Sequence, residues 1–528
     1  MYNSPAWLKT LLLKNSWLKT SRLKTPRLKT LWLKTLCLKT PRLKTLWLKT
    51  PRLKTLWLKT PRLKTPWLSP LCLVVIFFAT LITEWTGYQS PAILAVLVLL
   101  LFTFVEWKYL ELTTKIIATV AIGLTLVLLL SSQITIIQLG MLCGSVAFFA
   151  FFLIALGFLK EAALTSTSVN LTGLALLQQQ PVRRYALLTF ASHLLGILMN
   201  VGAINLLGTM IHRSLHDNKD TVDARINSAR QRRMMLAVVR GFCSIPLWAP
   251  TSVTITLLVT TIDELQWMDI IPYGLYLTLV LLLFGIWLDH VQAPKHLRHL
   301  VPAISNNLSD LKVSYPIMVV VFTLAVVSGL LIFLTSLRPI AGVLVSAPIV
   351  SAAWIFTQYH HERNTFNAMQ LTVKRFSKDI FFKLPSQRSE IVFFAGSIMI
   401  GRLLLAVLDI EWFAQQLAHL NISAALILIA SSWFIFLAAL LFINPMISVT
   451  LVAGALSQLP SLENMPVTIA LVMMVTWAVV IGSSPTTTSV RISAKITGIS
   501  PFHMGIKWNG LYSTLVLVLL NLYLIVMV

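Results

Sequence analysis

The sequence predicts an all-α polytopic membrane protein made of two inverted-topology repeats with re-entrant hairpins and broken helices, and three observations predict it. Hydrophobic residues make up 57% of the 528 and charged residues 12%, more apolar surface than a chain in water could hide. Long apolar runs follow one another from Leu71 to the end of the chain. The most polar interruption among them occurs twice.

That interruption is Ile481–Val490, Ile-Gly-Ser-Ser-Pro-Thr-Thr-Thr-Ser-Val. In hydrocarbon every backbone N–H and C=O must find a partner, so such a stretch is tolerated only inside protein or against a watered cavity. It predicts a broken membrane helix. Its echo is Trp248–Ile255, in which Thr251-Ser252-Val253 matches Thr488-Ser489-Val490. Gly274-Leu275-Tyr276 is repeated at Gly510-Leu511-Tyr512 with an offset one residue different, and Phe148-Phe149-Ala150 at Phe393-Phe394-Ala395. Two halves, each with a broken segment at the matching place, point to a secondary transporter with its site near the bilayer midplane.

Taken in order, residues 8–67 are a tandem x-x-Leu-Lys-Thr pentapeptide. A period of five winds the leucines around a helix and flips them between strand faces, and prolines at 26, 41, 51, 61 and 66 cut any helix short. Seventeen of the net twenty-five positive charges fall in residues 1–70, leaving eight for the rest. The charge therefore belongs to a tail and gives no sign of a nucleic-acid partner. Two readings of residues 1–67 stay open. One is a basic, tryptophan-bearing tail on an anionic inner leaflet, each Lys or Arg contributing about 1 kcal/mol. The other is translated low-complexity repeat ahead of a start near Leu68.

The first repeat is expected over 68–290, with spans near 71–86, 90–107, 115–131 and 137–159, then an interfacial helix ending at Pro181-Val182-Arg183-Arg184. Tyr185–Ile211 is apolar for 27 residues around Asn200-Val201-Gly202, which fits either a re-entrant hairpin or one tilted helix. Ile211–Arg233 is expected as a basic cytoplasmic loop. Met234–Ile262 follows, interrupted at Arg240-Gly241, Pro246 and Pro250, then a span at 271–288. Residues 291–313 form an inter-repeat linker whose histidines, 296 and 299, lack a third metal ligand. The second repeat, 314–528, has spans near 314–336, 339–357 and 390–408 and an amphipathic basic segment at His360–Arg388. Ile422–Leu456 is too long for one span and is broken at Asn444-Pro445. Pro466–Gly482 leads into the opening motif, and Asn509–Val528 is the last span.

These residues resemble the ion transporter superfamily of inverted-repeat permeases, which includes divalent anion/sodium symporters, arsenite permeases and citrate carriers; the resemblance covers about residues 90–528. It implies hairpin tips at Met199-Asn200-Val201 and Ile443-Asn444-Pro445 and unwound loops at 249–252 and 484–489. The substrate- or ion-binding residues it implies are Asn200, Gly202, Thr251, Ser252, Asn444, Thr486, Thr487, Thr488 and Ser489, and the charge of Arg491 just beyond adds it as a candidate independently of the resemblance. Neither tip has the flanking Ser and Thr of the sodium-coupled dicarboxylate members, so the coupling ion stays open between H⁺ and Na⁺. Arg491 and Lys495, one turn apart, either invite an anion or lie on the cytoplasmic side.

Arg240 and Arg402 lie within apolar runs, where a charge is a functional candidate unless it snorkels. His193, in an apolar arm, is either a proton relay or a hydrogen-bonded packing residue. The expected function is secondary transport of a small solute, an anion by preference, driven by H⁺ or Na⁺, with no cofactor and no catalytic residue. The alternative is a membrane-embedded enzyme acting on a lipid-linked substrate, against which the loops count, being short, basic and poor in acids. The expected setting is the plasma (inner) membrane with a cytoplasmic N-terminus, the lipid bilayer and the solute as partners, and a homodimer as in the resembled family.

Overall fold

The computed structural model describes residues 67–217, 223–262, 265–293, 315–335, 337–361, 363–420 and 422–528. The pentapeptide tail lies outside them, as do residues 294–313 of the expected linker with His296 and His299. Every regular element among the described residues is helical. Among the described residues ten helical stretches are long and apolar enough to cross a membrane, and side chains such as Leu279, Leu283, Phe322, Phe333 and Leu522 are exposed on them. Apolar surface on that scale needs lipid as its solvent. The protein is an all-helical polytopic membrane protein.

Four long helices open the described chain: α1 (Leu68–Thr86), α2 (Ser90–Glu106), α3 (Leu112–Leu130) and α4 (Ile136–Leu164). Gly87 ends α1 at φ 75°, its N–H donating to Thr83 O, and Thr135 with Gln138 forms a reciprocal cap that starts α4. From Val146 to Gly157 α4 is buried on all sides. A helix apolar all round belongs in the centre of a bundle, and α4 packs there against α1, α2 and the second-half helices α12 (Pro339–His360) and α14 (Arg388–Val407). Before α12 comes α11 (Tyr315–Leu334), and after it α13 (Thr365–Lys374), which runs through a π turn and a 3₁₀ turn into α14.

Ion pairs between the halves fix this group. Arg388 Nη1 donates to Glu106 Oε2 at 2.6 Å, and Ser69 Oγ donates to Glu106 Oε1 at 2.5 Å. Arg338 holds Glu84 at the ends of α12 and α1. Glu106 is 7% exposed, so Glu106→Gln leaves Arg388 short of its counter-charge in a poorly solvated place. A loss of about 2 kcal/mol is expected, read as a lowered melting temperature of the purified protein.

The rest of the first half contains α5 (Thr167–Leu177), α6 (Pro181–Met199), α7 (Gly202–Asp217), α8 (Ala224–Cys243), α9 (Val253–Thr261) and α10 (Trp267–Gln292). Helices α6 and α8 run side by side in one direction. Ser192 Oγ donates to Val238 O, Thr189 backs onto Gly241, and Gly196 onto Ile245. Had the chain run straight on from α6, Gly208 would lie about 18 Å past Gly196; instead Gly208 meets Met235, back along α8. So α6 and α7 form a helical hairpin turning at Asn200, and of the two sequence readings the tilted single helix is excluded.

Two further expectations are corrected. Ile211–Arg233 is mostly helix, the end of α7 and the start of α8, because Asp223 caps α8 by accepting Arg225 N at 2.7 Å and the Arg residues that follow are good helix formers. Arg240-Gly241 does not interrupt α8, which continues to Cys243. Gly241 is there because a Cβ would stand 2.0 Å from Thr189 O.

In the second half α15 (Ile410–His419), which the sequence reading passed over, precedes α16 (Ala424–Leu440), α17 (Pro445–Leu456), α18 (Pro466–Ser483), α19 (Thr488–Thr497) and α20 (Gly510–Met527). Helix α16 lies along α18 and ends where it ends, Ser484 Oγ donating to Ala439 O at 2.8 Å. Helix α17 turns back from there, climbing α14 from Ser397 past Gly401 to Leu405, and returns through residues 457–465 to the start of α18. This is again a hairpin followed by a broken helix, the same order as α6 to α9.

Candidate functional site

Each break follows from its own residues. After Cys243 come a 3₁₀ turn at Ile245–Leu247, Pro250 and Thr251, and then Ser252, whose Oγ accepts Thr254 N at 3.2 Å and starts α9. Pro246 and Pro250 lack the donors a continuing helix needs. In the second half the gap is narrower than Ile481–Val490: only 484–487 are non-helical, and Thr488 and Ser489 already belong to α19.

The two breaks look alike in sequence and differ in how their hydroxyls are used. Around the second, Thr487 Oγ1 donates to Ser484 O at 2.8 Å, Ser489 Oγ donates to Ile481 O, and Ser484 Oγ bridges Ala439 O and Thr486 Oγ1 at 2.8 Å each. The hydroxyls thus cap the carbonyls that α18 leaves open at its end. Around the first, Thr251, Thr254 and Thr256 are buried and their Oγ1 atoms have no hydrogen-bond partner among the described residues, as is also true of Thr261 at the far end of α9. Thr260, further inside α9, donates to Thr256 O in the ordinary way. Four residues before Thr254 stands Pro250, outside any helix, so Thr254 has no helical carbonyl behind it.

A buried chain of bonds ties the first break to the hairpin. Trp248 Nε1 donates to His193 Nε2 at 3.0 Å, so the opposite nitrogen, Nδ1, carries the imidazole proton and donates to Ser244 Oγ at 2.7 Å. Ser244 Oγ donates onward to Gly241 O at 2.8 Å, and Trp267 Nε1 donates to Trp248 O at 2.8 Å. His193 is accordingly a hydrogen-bonded packing histidine in this structure.

The other predicted residues fall as follows. Asn200 closes α6 at φ 51°, its N–H donating to Gly196 O at 2.8 Å, a sign of φ that Asn tolerates better than most residues. With Gly202 it lines a small cleft shared with Lys160 of α4 and with Gln387 and Glu390 at the start of α14. Asn444 is instead a helix cap: Oδ1 accepts Met446 N at 3.0 Å and Nδ2 donates to Ser397 Oγ at 2.5 Å. The structure gathers Thr486, Thr487 and Ser489 at one break and Thr251 with Ser252 at the other. It does not bring Arg491 or Thr488 among them; both are exposed on the outer face of α19, as is Lys495, while Ser489 and Ser493 are buried.

Where α8 and α18 end, they touch: a Cβ on Gly482 would lie 2.9 Å from Cys243 Sγ and 3.0 Å from Asn509 Nδ2. Beside this contact is Arg240, 2% exposed. Its Nε donates to Asn509 Oδ1 at 2.9 Å and its Nη1 to Tyr185 Oη at 3.0 Å, with Tyr512 stacked at 4.6 Å. Arg402 does not simply snorkel; it donates to Ser145 Oγ and to Thr260 O in the last turn of α9, where a helix end favours a cation. Sequence reasoning missed Thr254, Thr256, Ser484 and Asn509. Helical spacing forward from Thr251 pointed to Thr254, and Ser484 lay within the quoted motif, whereas nothing local marks Asn509.

No protein-family model matches the chain, and no curated protein matches it. Among solved structures it is similar to the YdaH transporter of Alcanivorax borkumensis, described as having an unusual topology, with 15% identity and a TM-score of 0.43 over 72% of this chain and 87% of that one.

Proposed function

We propose that the protein is a secondary active transporter of a small anion, driven by an H⁺ or Na⁺ gradient, with its solute site at the first break. The observation that carries this reading is the set of partnerless hydroxyls at the start of α9. A buried polar group without a partner costs about 1–3 kcal/mol, and a site that a solute fills and vacates by turns recovers that cost when loaded. The N-terminus of α9 supplies N–H groups and partial positive charge on the same side, which favours an anion.

The matching order of hairpin, broken helix and final span in the two halves supports an inverted repeat. Alternation of the spans then puts Arg183, the 225–233 arginines, the 374–388 segment, Arg491 and Lys507 on one side, the cytoplasmic side of the plasma membrane by the positive-inside bias. Movement of the hairpin-bearing helices against the α4 and α14 group would open and close the cleft at Asn200.

The test is uptake of radiolabelled phosphate, sulfate, succinate and citrate into proteoliposomes, with Na⁺ and pH gradients imposed separately, beside an Asn200→Ala/Asn444→Ala variant. Gradient-driven accumulation that the variant loses is the expected result. Folded protein that moves none of them under either gradient would overturn the reading.

A further inference from the structure

Arg240 is a full charge placed among helices, and no Asp or Glu among the described residues forms an ion pair with it. Its partners are neutral: the Asn509 amide, the Tyr185 hydroxyl, the Gly285 carbonyl at 3.3 Å and the face of Tyr512. An unpaired buried cation is costly, so something other than a carboxylate must balance it. Two helix ends do. Arg240 itself stands in the last turn of α8, and Asn509, whose oxygen it holds, turns its Nδ2 to Gly482 O at 3.0 Å, one residue from the end of α18. Each helix C-terminus carries about half a negative charge, and here two of them abut.

In carriers built from discontinuous helices, half-helix C-terminal ends and unwound carbonyls are where the small coupling cation is held. The geometry points to Arg240 as a tethered cation in that place: the guanidinium neutralises the converging ends of the two broken helices permanently, so the carrier is not coupled to Na⁺. The inference rests on the transport reading above and narrows its driving ion to H⁺. Chain topology makes the arrangement economical, since one side chain from the first half meets one amide from the segment before α20, and that amide holds a carbonyl at the second break.

The full-length protein is melted in detergent, in sodium chloride and in choline chloride at equal ionic strength, as wild type and as Arg240→Ala, Arg240→Lys and Arg240→Gln. The wild type is expected to melt at one temperature in both salts. Arg240→Ala should fall by about 5 °C or more and regain at least half the loss in millimolar guanidinium, and Arg240→Lys should melt above Arg240→Gln. If Arg240→Ala fails to accumulate, the Lys and Gln variants decide, since they differ mainly in charge. Arg240→Gln melting with or above Arg240→Lys, no rescue of a folded Arg240→Ala by guanidinium, or a wild type stabilised by Na⁺ over choline would each overturn the inference.

Uptake separates this from the carrier reading. Accumulation driven by a Na⁺ gradient alone overturns the tethered cation and leaves the carrier standing, whereas accumulation driven by a pH gradient alone supports both. Flux under neither gradient counts against the carrier, and the Lys and Gln melting temperatures then settle the role of Arg240 by themselves.

Discussion

Thr251→Val/Thr254→Val is expected to lower solute uptake about tenfold or more while making the protein more stable. Both hydroxyls are buried without partners in the described structure, and valine matches threonine in shape. Removing a partnerless buried hydroxyl recovers desolvation free energy, about 1 kcal/mol for each, whereas a solute that used them loses two hydrogen bonds worth about 0.5–1.5 kcal/mol each. The measurements are initial uptake rate in proteoliposomes and melting temperature in detergent. Gain in stability with loss of transport is what a binding site gives, because its groups are held ready for a partner the resting fold does not supply. A variant that melts higher and still transports at the wild-type rate would remove the first break from the solute path. The comparison pair is Thr487→Val/Ser489→Val at the second break, where the hydroxyls cap Ser484 O and Ile481 O; that variant is expected to lose stability.

Gly505→Ala is expected to cost about 3 kcal/mol and to disturb the second break. A Cβ there would lie 2.0 Å from Ser483 O and 2.8 Å from its carbonyl carbon. Those are backbone atoms at the end of α18, which cannot swing aside as a side chain does, so the π turn at His503–Trp508 and the break must separate. The first half has the same device: a Cβ on Gly274 would lie 1.9 Å from Leu247 O. Small residues that let backbones approach are a usual means of packing helices in lipid. Gly329→Ala is the control: nothing lies within 4 Å of a Cβ at Gly329, in α11, and there alanine should be neutral or stabilise by up to about 1 kcal/mol. Expression level and thermal melts of the two variants, compared with wild type, measure the difference. Equal melting of the two would mean that the glycine contact at the break is not a constraint.

Several elements were legible in the sequence because their causes are local. The length of an apolar run decides whether it can span a bilayer, so α1 to α4, α10 to α12, α14 and α20 fall within a few residues of where they are expected. A proline between hydroxyl residues removes a backbone donor whatever surrounds it, so the interruptions near Pro250 and Pro485 were visible, as was the one at Asn444-Pro445. Asn200 marked a turn because so polar an amide in the middle of 27 apolar residues needs a reason.

What happens at each break was not legible, because it depends on atoms far away in the chain. Thr251 and Thr488 align in sequence, yet the second break finds carbonyl partners for its hydroxyls and the first leaves three buried without one among the described residues. Arg491 was a candidate by position, and the rotation of α19 exposes it. Arg240 looked like an interruption of α8 and is instead a packed cation, reached by Asn509, 269 residues later. By itself the sequence determined that the chain lives in a membrane and where its helices must break, since both follow from hydropathy and backbone chemistry within one segment. Only the tertiary structure decided which polar groups are satisfied and which are left waiting, because a buried hydrogen bond needs a partner brought within about 3 Å, and that partner comes from packing.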